Sequence, residues 1–265
     1  MGIGSLPAEL LEHIISLLVS SNNRAIIHAC ALVHSTWLPP CRRILFASIT
    51  IYDAVWRLKR AHAILKERPD LAEFVRSVTW DLWDQGQQYS NPSPTLAISV
   101  MKRLHSIQSL TLDYHTQGAS GVAYKGFGHL VRYAPVGNIT KLDLRSVVFA
   151  SDAQFCSFVA HFPQLEVLFI RDISWLSTTA DLSLVLYCPR LKMLRVHGAP
   201  EQGLHILLDW LLAARQVPRL QHLSVELRED MQSFNTLVAL NSDVLETVTI
   251  HGESKTVFGH LLLAD

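Results

Sequence analysis

One pattern restricts the fold of this chain more than any other feature. The template apolar-x-x-apolar-x-apolar occurs as Val75/Val78/Trp80, Ile107/Leu110/Leu112, Ile139/Leu142/Leu144, Leu165/Leu168/Ile170, Leu191/Leu194/Val196, Leu220/Leu223/Val225 and Leu245/Val248/Ile250. Its first positions step by 32, 32, 26, 26, 29 and 25 residues, a register that chance does not hold. Apolar segments of helical length lie between the copies, at 94–104, 127–133, 153–162, 180–187, 204–214 and 231–240. Each unit therefore reads as one strand followed by one helix. Such a unit cannot bury both of its faces alone, so stacked copies must share a continuous core. The expectation is an α/β solenoid over 71–265 with about seven repeats, parallel strands on the inner curve and helices outside.

Local chemistry punctuates the same period. Ser93 before Pro94, Ser151 with Gln154 three residues on, and Asp230 before the 231–240 segment are helix-start signals, while Pro163, Pro189 and Pro218 separate helices from the next strands. Residues 84–93 and 115–128 read as longer loops that account for the two 32-residue steps.

Strand side chains alternate, so positions one, four and six point into the core and positions three, five and seven face the open inner curve. Position five carries Thr79, Thr111, Asp143, Phe169, Arg195, Ser224 and Thr249; position seven carries Asp81, Asp113, Arg145, Arg171, His197, Glu226 and His251. An acidic end at Asp81, Asp113 and Asp143 passes to a basic middle at Arg145, Arg171 and Arg195. Phe169 is the aromatic residue among them, and arginine and aromatic side chains dominate protein interfaces. The target-binding candidates are thus Asp143, Arg145, Phe169, Arg171, Arg195 and His197. The competing reading is that neighbouring Asp and Arg columns merely neutralise each other.

The first fifty residues differ in kind. Pro7 opens a helix in which Glu9, Glu12, His13 and Ser16 share a narrow arc, while Leu10, Leu11, Ile14, Ile15, Leu17 and Leu18 cover most of the rest. A second helix over 24–35 offers Ile26, Ile27, Cys30, Ala31, Leu32 and Val33, and Trp37 follows. Pro39 and Pro40 are expected to end that stretch, with a short third helix over 41–46 and an extended segment at 49–52. Two such helices cover each other only in part, which leaves apolar surface for a partner. Residues 1–50 are taken as this module and 51–70 as an amphipathic connecting helix stopped by Pro69.

The order Leu6-Pro7, Glu9-Leu10-Leu11, Ile14, Leu18, Leu32-Val33 and Trp37 resembles the F-box, the helical motif that plugs a substrate receptor into the Skp adaptor of cullin-RING ubiquitin ligases. The strand template from about residue 69 onward resembles that of leucine-rich-repeat proteins, and together the two parts are similar to F-box leucine-rich-repeat receptors of the fungal type. The asparagine or cysteine usual in those repeats three places beyond the last strand apolar is Trp83, His115, Val147, Ile173, Ala199, Arg228 and Glu253 here. The resemblance implies that Leu6, Pro7, Leu10, Leu11, Ile14, Ile15, Leu18, Val33 and Trp37 hold the Skp adaptor, and through it the cullin and RING subunits. It implies that the solenoid binds a target protein. The alternative is a ligase-independent scaffold whose N-terminal helices cap the solenoid.

Other functions find little support in the residues. Lys plus Arg and Asp plus Glu balance at 23 each, so no net field draws the chain to nucleic acid or an anionic membrane. The 204–214 segment is too short, and too interrupted by Asp209, to span a bilayer. Cys30, Cys41, Cys156 and Cys188 show no C-x-x-C spacing, which suits reduced thiols in the cytoplasm or nucleus. Hydrolase, phosphate-loop, dinucleotide and zincin signatures are absent. Cys30 with His34, His28 and Cys41, or a His197/Glu226/His251 row, offer metal-type side chains. A buried thiol in an apolar run and a polar row on a binding face explain them without metal. The expectation is a binding protein with no catalytic residue and no cofactor.

Overall fold

The computed structural model describes residues 7–20, 24–52, 55–84, 94–116, 136–177, 188–198, 201–214, 217–226 and 232–251. The expected helices at 127–133 and 180–187, the cap residues Ser93 and Asp230, Leu6, and most of the two expected loops lie outside them.

Three helices come first: α1 (Ala8–Ser20), α2 (Arg24–Val33) and α3 (Leu38–Ala47). The proline pair does not end a helix, as expected, but opens α3: Pro39 and Pro40 occupy its first turn, where a missing N–H has no intrahelical partner to lose. Chain reversal falls earlier, at His34–Thr36, where His34 Nδ1 meets Thr36 Oγ1 at 2.9 Å. Ile15, Ile27 and Cys41 close a small core with Cys30, Ala31, Trp37, Ile44 and Leu45 packed around it.

The chain then enters an eight-stranded sheet, every neighbouring pair of which is parallel. Its strands are β1 (Ser48–Tyr52), β2 (Ser77–Asp84), β3 (Ser109–Thr116), β4 (Lys141–Arg145), β6 (Val167–Arg171), β8 (Met193–His197), β9 (His222–Glu226) and β10 (Thr247–His251), adjacent in chain order. The short β5 (Val148–Phe149) and β7 (Ser174–Trp175) form a second, two-stranded sheet. Helices α4 (Val55–Glu67), α5 (Pro69–Ala72), α6 (Pro94–Arg103), α7 (Asp152–Val159), α8 (Glu201–Ala213) and α9 (Gln232–Leu240) connect the strands. The helix expected merely to link two modules, α4, is the crossover between β1 and β2 and packs beside α6.

The sequence boundary at residue 50 falls inside β1, which pairs with β2 from Ser48↔Ser77 to Tyr52↔Asp81. Phe46/Ile49/Ile51 is an eighth copy of the template, 29 residues before Val75. A backbone ladder makes the equivalence concrete. The N–H at template position two donates to the carbonyl at position two of the preceding copy, from Arg76 to Ala47 (2.9 Å) through Gln108, Thr140, Glu166, Lys192 and Gln221 to Glu246. Strands β2 and β3 run on to Asp84 and Thr116, residues assigned above to loops or their threshold. They pair with each other there and so satisfy each other's backbone.

Burial follows the template. Positions one, four and six of the seven copies from Val75 onward are at most 6% exposed, save Ile250 on the edge strand β10 at 37%. They share one core with Leu58 and Leu65 of α4, Val100 and Met101 of α6, Phe155 and Phe158 of α7, Leu207 and Leu211 of α8, and Leu237 of α9. Each fully buried Leu or Ile contributes roughly 1.5–3 kcal/mol. An aromatic group reinforces the middle: Phe155 meets Phe149 edge-on at 5.3 Å and stacks at 6.2 Å on Trp210. The expected Ser151 cap is present, accepting from Gln154 N at 3.2 Å while Gln154 Oε1 accepts from Ala150 N at 2.7 Å. Among the described residues no helix is long and apolar enough to cross a membrane.

After β4, β6 and β8 the chain turns through Ser146 (φ 52°), Asp172 (φ 50°) and Gly198 (φ 60°), the same position in three successive copies. Val147 and Ile173 follow, 0% and 2% exposed. The position that carries asparagine in the resembled repeats is apolar and buried in these two copies, and left-handed residues make the turn.

Candidate functional site

Two surfaces carry the residues singled out by the sequence. The first is the sheet face opposite the helices. Strand register aligns Thr50, Thr79, Thr111, Asp143, Phe169, Arg195, Ser224 and Thr249 in one row. It aligns Tyr52, Asp81, Asp113, Arg145, Arg171 and His197 in the next, with Glu226 opposite His251 on the last two strands. None of these side chains joins the apolar core.

All six target-binding candidates lie on β4, β6 and β8, which are adjacent in the sheet. Their roles differ. Asp143 is only 3% exposed, because Arg145 folds back over it: Nη2 and Nε of Arg145 donate to Asp143 Oδ2 at 2.7 and 3.1 Å. Arg145 Nη1 reaches Asp113 Oδ2 at 3.4 Å. Arg145 thus covers most of Asp143, whose Oδ1 has no hydrogen-bond partner among the described residues. Hydrogen bonding to Asp143 raises the Arg145 pKa further above its ordinary value.

Arg171 is more open, 3.9 Å from Asp143 Oδ2 with 42% of its side chain exposed. The Phe169 ring has Arg195 Cζ at 5.0 Å and Lys141 Nζ at 4.9 Å from its centroid. Lys141 was not singled out by sequence because it occupies position three, and only its long stem brings the ammonium to the ring. At the acidic end His115 Nε2 lies 3.6 Å from Asp81 Oδ1 and 3.6 Å from Asp113 Oδ1.

His197 meets His251 edge-on at a centroid distance of 4.6 Å. Burial, then His251 and Arg195, lowers the His197 pKa, which favours the neutral ring. Glu226 between them in sequence accepts the Gly198 N–H at 2.8 Å. Ser224 Oγ lies 3.3 Å from His251 Nε2, but Ser224 is only 9% exposed, so that hydroxyl is poorly placed to meet a substrate. Among the described residues no three His, Cys, Asp or Glu side chains are grouped so as to hold a metal ion.

The second surface is on α1 and α2. Leu10 is 50% and Val33 65% exposed, and Pro7 is exposed beside them. Leu11 and Ile15, at 2% and 0%, are internal and hold the helices together; Ile14, Leu18 and Trp37 are half-buried. Leu17 and Leu32, 59% and 87% exposed, add apolar area that the candidate set omitted. The broad apolar stripe was legible in the sequence, but not which leucines would be covered. Arg43 of α3 pairs with Glu12 of α1 beside this surface. Helix α3 also touches β1 and α5, so the module sits at the first edge of the sheet.

No protein-family model matches the chain, and no curated protein matches it.

Proposed function

We propose that this chain is the substrate-recognition subunit of a Skp-cullin-F-box ubiquitin ligase, working in the cytoplasm or nucleus. On this reading α1–α3 form the F-box, the strand–helix units form a leucine-rich-repeat solenoid, and the open sheet face binds the target protein. One observation carries it: Leu10, Leu17, Leu32 and Val33 remain exposed in a helical module whose own core, Ile15, Ile27 and Cys41, is already closed. Four large apolar side chains left in water are costly unless a partner covers them. A parallel sheet with strands in chain order, helices on one side and a polar, charged row on the other supports the solenoid part. The chain would contribute proximity, raising the effective concentration of target lysines near a thioester carried by another subunit. It would perform no bond-making step itself and need no cofactor.

A second reading is favoured by the contact of α3 with β1 and α5: the helices cap the first edge of a ligase-independent scaffold. Co-expression with a Skp adaptor separates the two. The receptor reading predicts a one-to-one complex on size exclusion that Leu10→Asp with Val33→Asp abolishes without lowering the melting temperature. A wild-type chain that elutes alone and monomeric, with adaptor in a separate peak, overturns it in favour of the scaffold.

A further inference from the structure

The charges of the open face do not cancel uniformly. Asp143 and Arg145 neutralise each other through their 2.7 and 3.1 Å contacts. To one side stand Asp81 and Asp113 on β2 and β3, with His115 Nε2 3.6 Å from an oxygen of each and Arg145 Nη1 3.4 Å from Asp113 Oδ2. To the other stand Arg171 on β6, 3.9 Å from Asp143, and Arg195 on β8, whose Cζ is 5.0 Å from the Phe169 ring centroid, while Lys141 of the central β4 brings its Nζ to 4.9 Å from the same ring. Arg195 makes no ion pair among the described residues. The face is therefore a dipole across the strands, anionic at β2–β3 and cationic at β6–β8.

Register gives this dipole a length. Asp81, Asp113, Arg145 and Arg171 are successive Cα partners, so Arg171 stands level with the acidic pole, and Arg195 pairs with Phe169 two residues earlier along the strands. The midpoint of β2 and β3 and the midpoint of β6 and β8 are separated by three strand spacings, with β4 between them. At about 4.8 Å per strand this is roughly 14 Å. An extended peptide crossing the strands covers that distance in about four residues, at about 3.3 Å each. Side chains at i and i+4 of an extended segment point the same way, so both can face the sheet.

We infer that the open face binds an extended target segment in which a Lys or Arg stands about four residues from an Asp or Glu. The basic side chain pairs with Asp81 and Asp113. The acidic one is held by Arg171 and Arg195 against Phe169, and the residue midway lies over the neutral Asp143–Arg145 pair. The inference rests on the reading of this face as the target surface.

The test uses fluorescence anisotropy of the full chain with short fluorescein-labelled Gly/Ser peptides. The peptides carry Lys and Glu at i and i+4, at i and i+1, or at i and i+8, or two Lys, two Glu, or Lys and phosphoserine at i and i+4. The expected result is that the i,i+4 Lys/Glu peptide binds roughly tenfold tighter than the other carboxylate or dilysine peptides, with loss of the difference at high salt. Arg171→Glu with Arg195→Glu, the first at a half-buried and the second at an exposed position, is expected to transfer the preference to the dilysine peptide, a gain that misfolding cannot produce. Equal binding at all spacings, failure of the charge reversal to transfer preference, or binding of the phosphoserine peptide alone overturns the inference. Adaptor co-purification on the same preparation keeps the two claims apart. Adaptor binding without spacing dependence sinks only this inference, and spacing dependence without adaptor binding sinks only the ligase reading.

Discussion

Nη2 of Arg145 lies 2.7 Å from Oδ2 of Asp143, two residues back on the same strand, and covers a carboxylate that is only 3% exposed. The pair turns what looks in sequence like two free charges into one neutral support at the centre of the face.

Breaking the pair from the arginine side strands a buried carboxylate, with Arg171 the next cation at 3.9 Å. Arg145→Ala is expected to lower stability by about 1.5–3 kcal/mol. Asp143→Ala with Arg145→Ala should cost clearly less than the sum of the single changes. Urea unfolding of the four-member cycle checks this; additive losses would show that the contact carries no coupling.

Gly198 has φ 60°, and a Cβ there would collide with Oδ1 of Asp172 and lie 2.9 Å from its Cγ. Gly198→Ala should therefore cost about 2–3 kcal/mol, combining left-handed strain with that collision. In an Asp172→Gly background the cost should fall to about 1 kcal/mol, because the side-chain collision is gone and the left-handed strain remains with a 3.3 Å contact to the backbone N of residue 172. Thermal unfolding of both pairs measures the difference.

Burial pushes the thiols of Cys156 and Cys188 up from 9.0 to about 12, and Asp152 adds to the shift at Cys156. The folded chain holds these protons after the unfolded chain has released them. Stability is thus unaffected below pH 9 and falls between pH 9 and about 12, by roughly 1.4 kcal/mol per pH unit per thiol. Cys156→Ala with Cys188→Ala should flatten that decline while lowering stability at pH 8 through the cavities left. At pH 8 iodoacetamide should modify half-exposed Cys30 and spare Cys41, Cys156 and Cys188 until denaturant is added.

The strand pattern was legible because every core-facing position of a one-sided sheet must be apolar: Val75, Val78 and Trp80 announce β2 without knowledge of its neighbours. Phe46, Ile49 and Ile51 follow the same rule but were absorbed into the helical module, since Pro39 and Pro40 read as a helix end rather than a helix start. The two rows of the open face followed from alternation alone. What alternation does not encode is reach: Lys141 arrives at Phe169 from another row, and Asp143 disappears under Arg145. On α1 the apolar arc is so broad that adjacent Leu10 and Leu11 look equivalent, and only packing against α2 and α3 makes one exposed and the other internal.

The central claim is that a partner covers Leu10, Leu17, Leu32 and Val33, and amide hydrogen exchange with and without purified Skp adaptor tests it most directly. Slowed exchange is expected in peptides from 8–20 and 24–33 alone, with the sheet strands from β4 to β8 unchanged. Exchange that is identical with and without adaptor, or protection that appears on the sheet while the helices stay as they were, would contradict the claim.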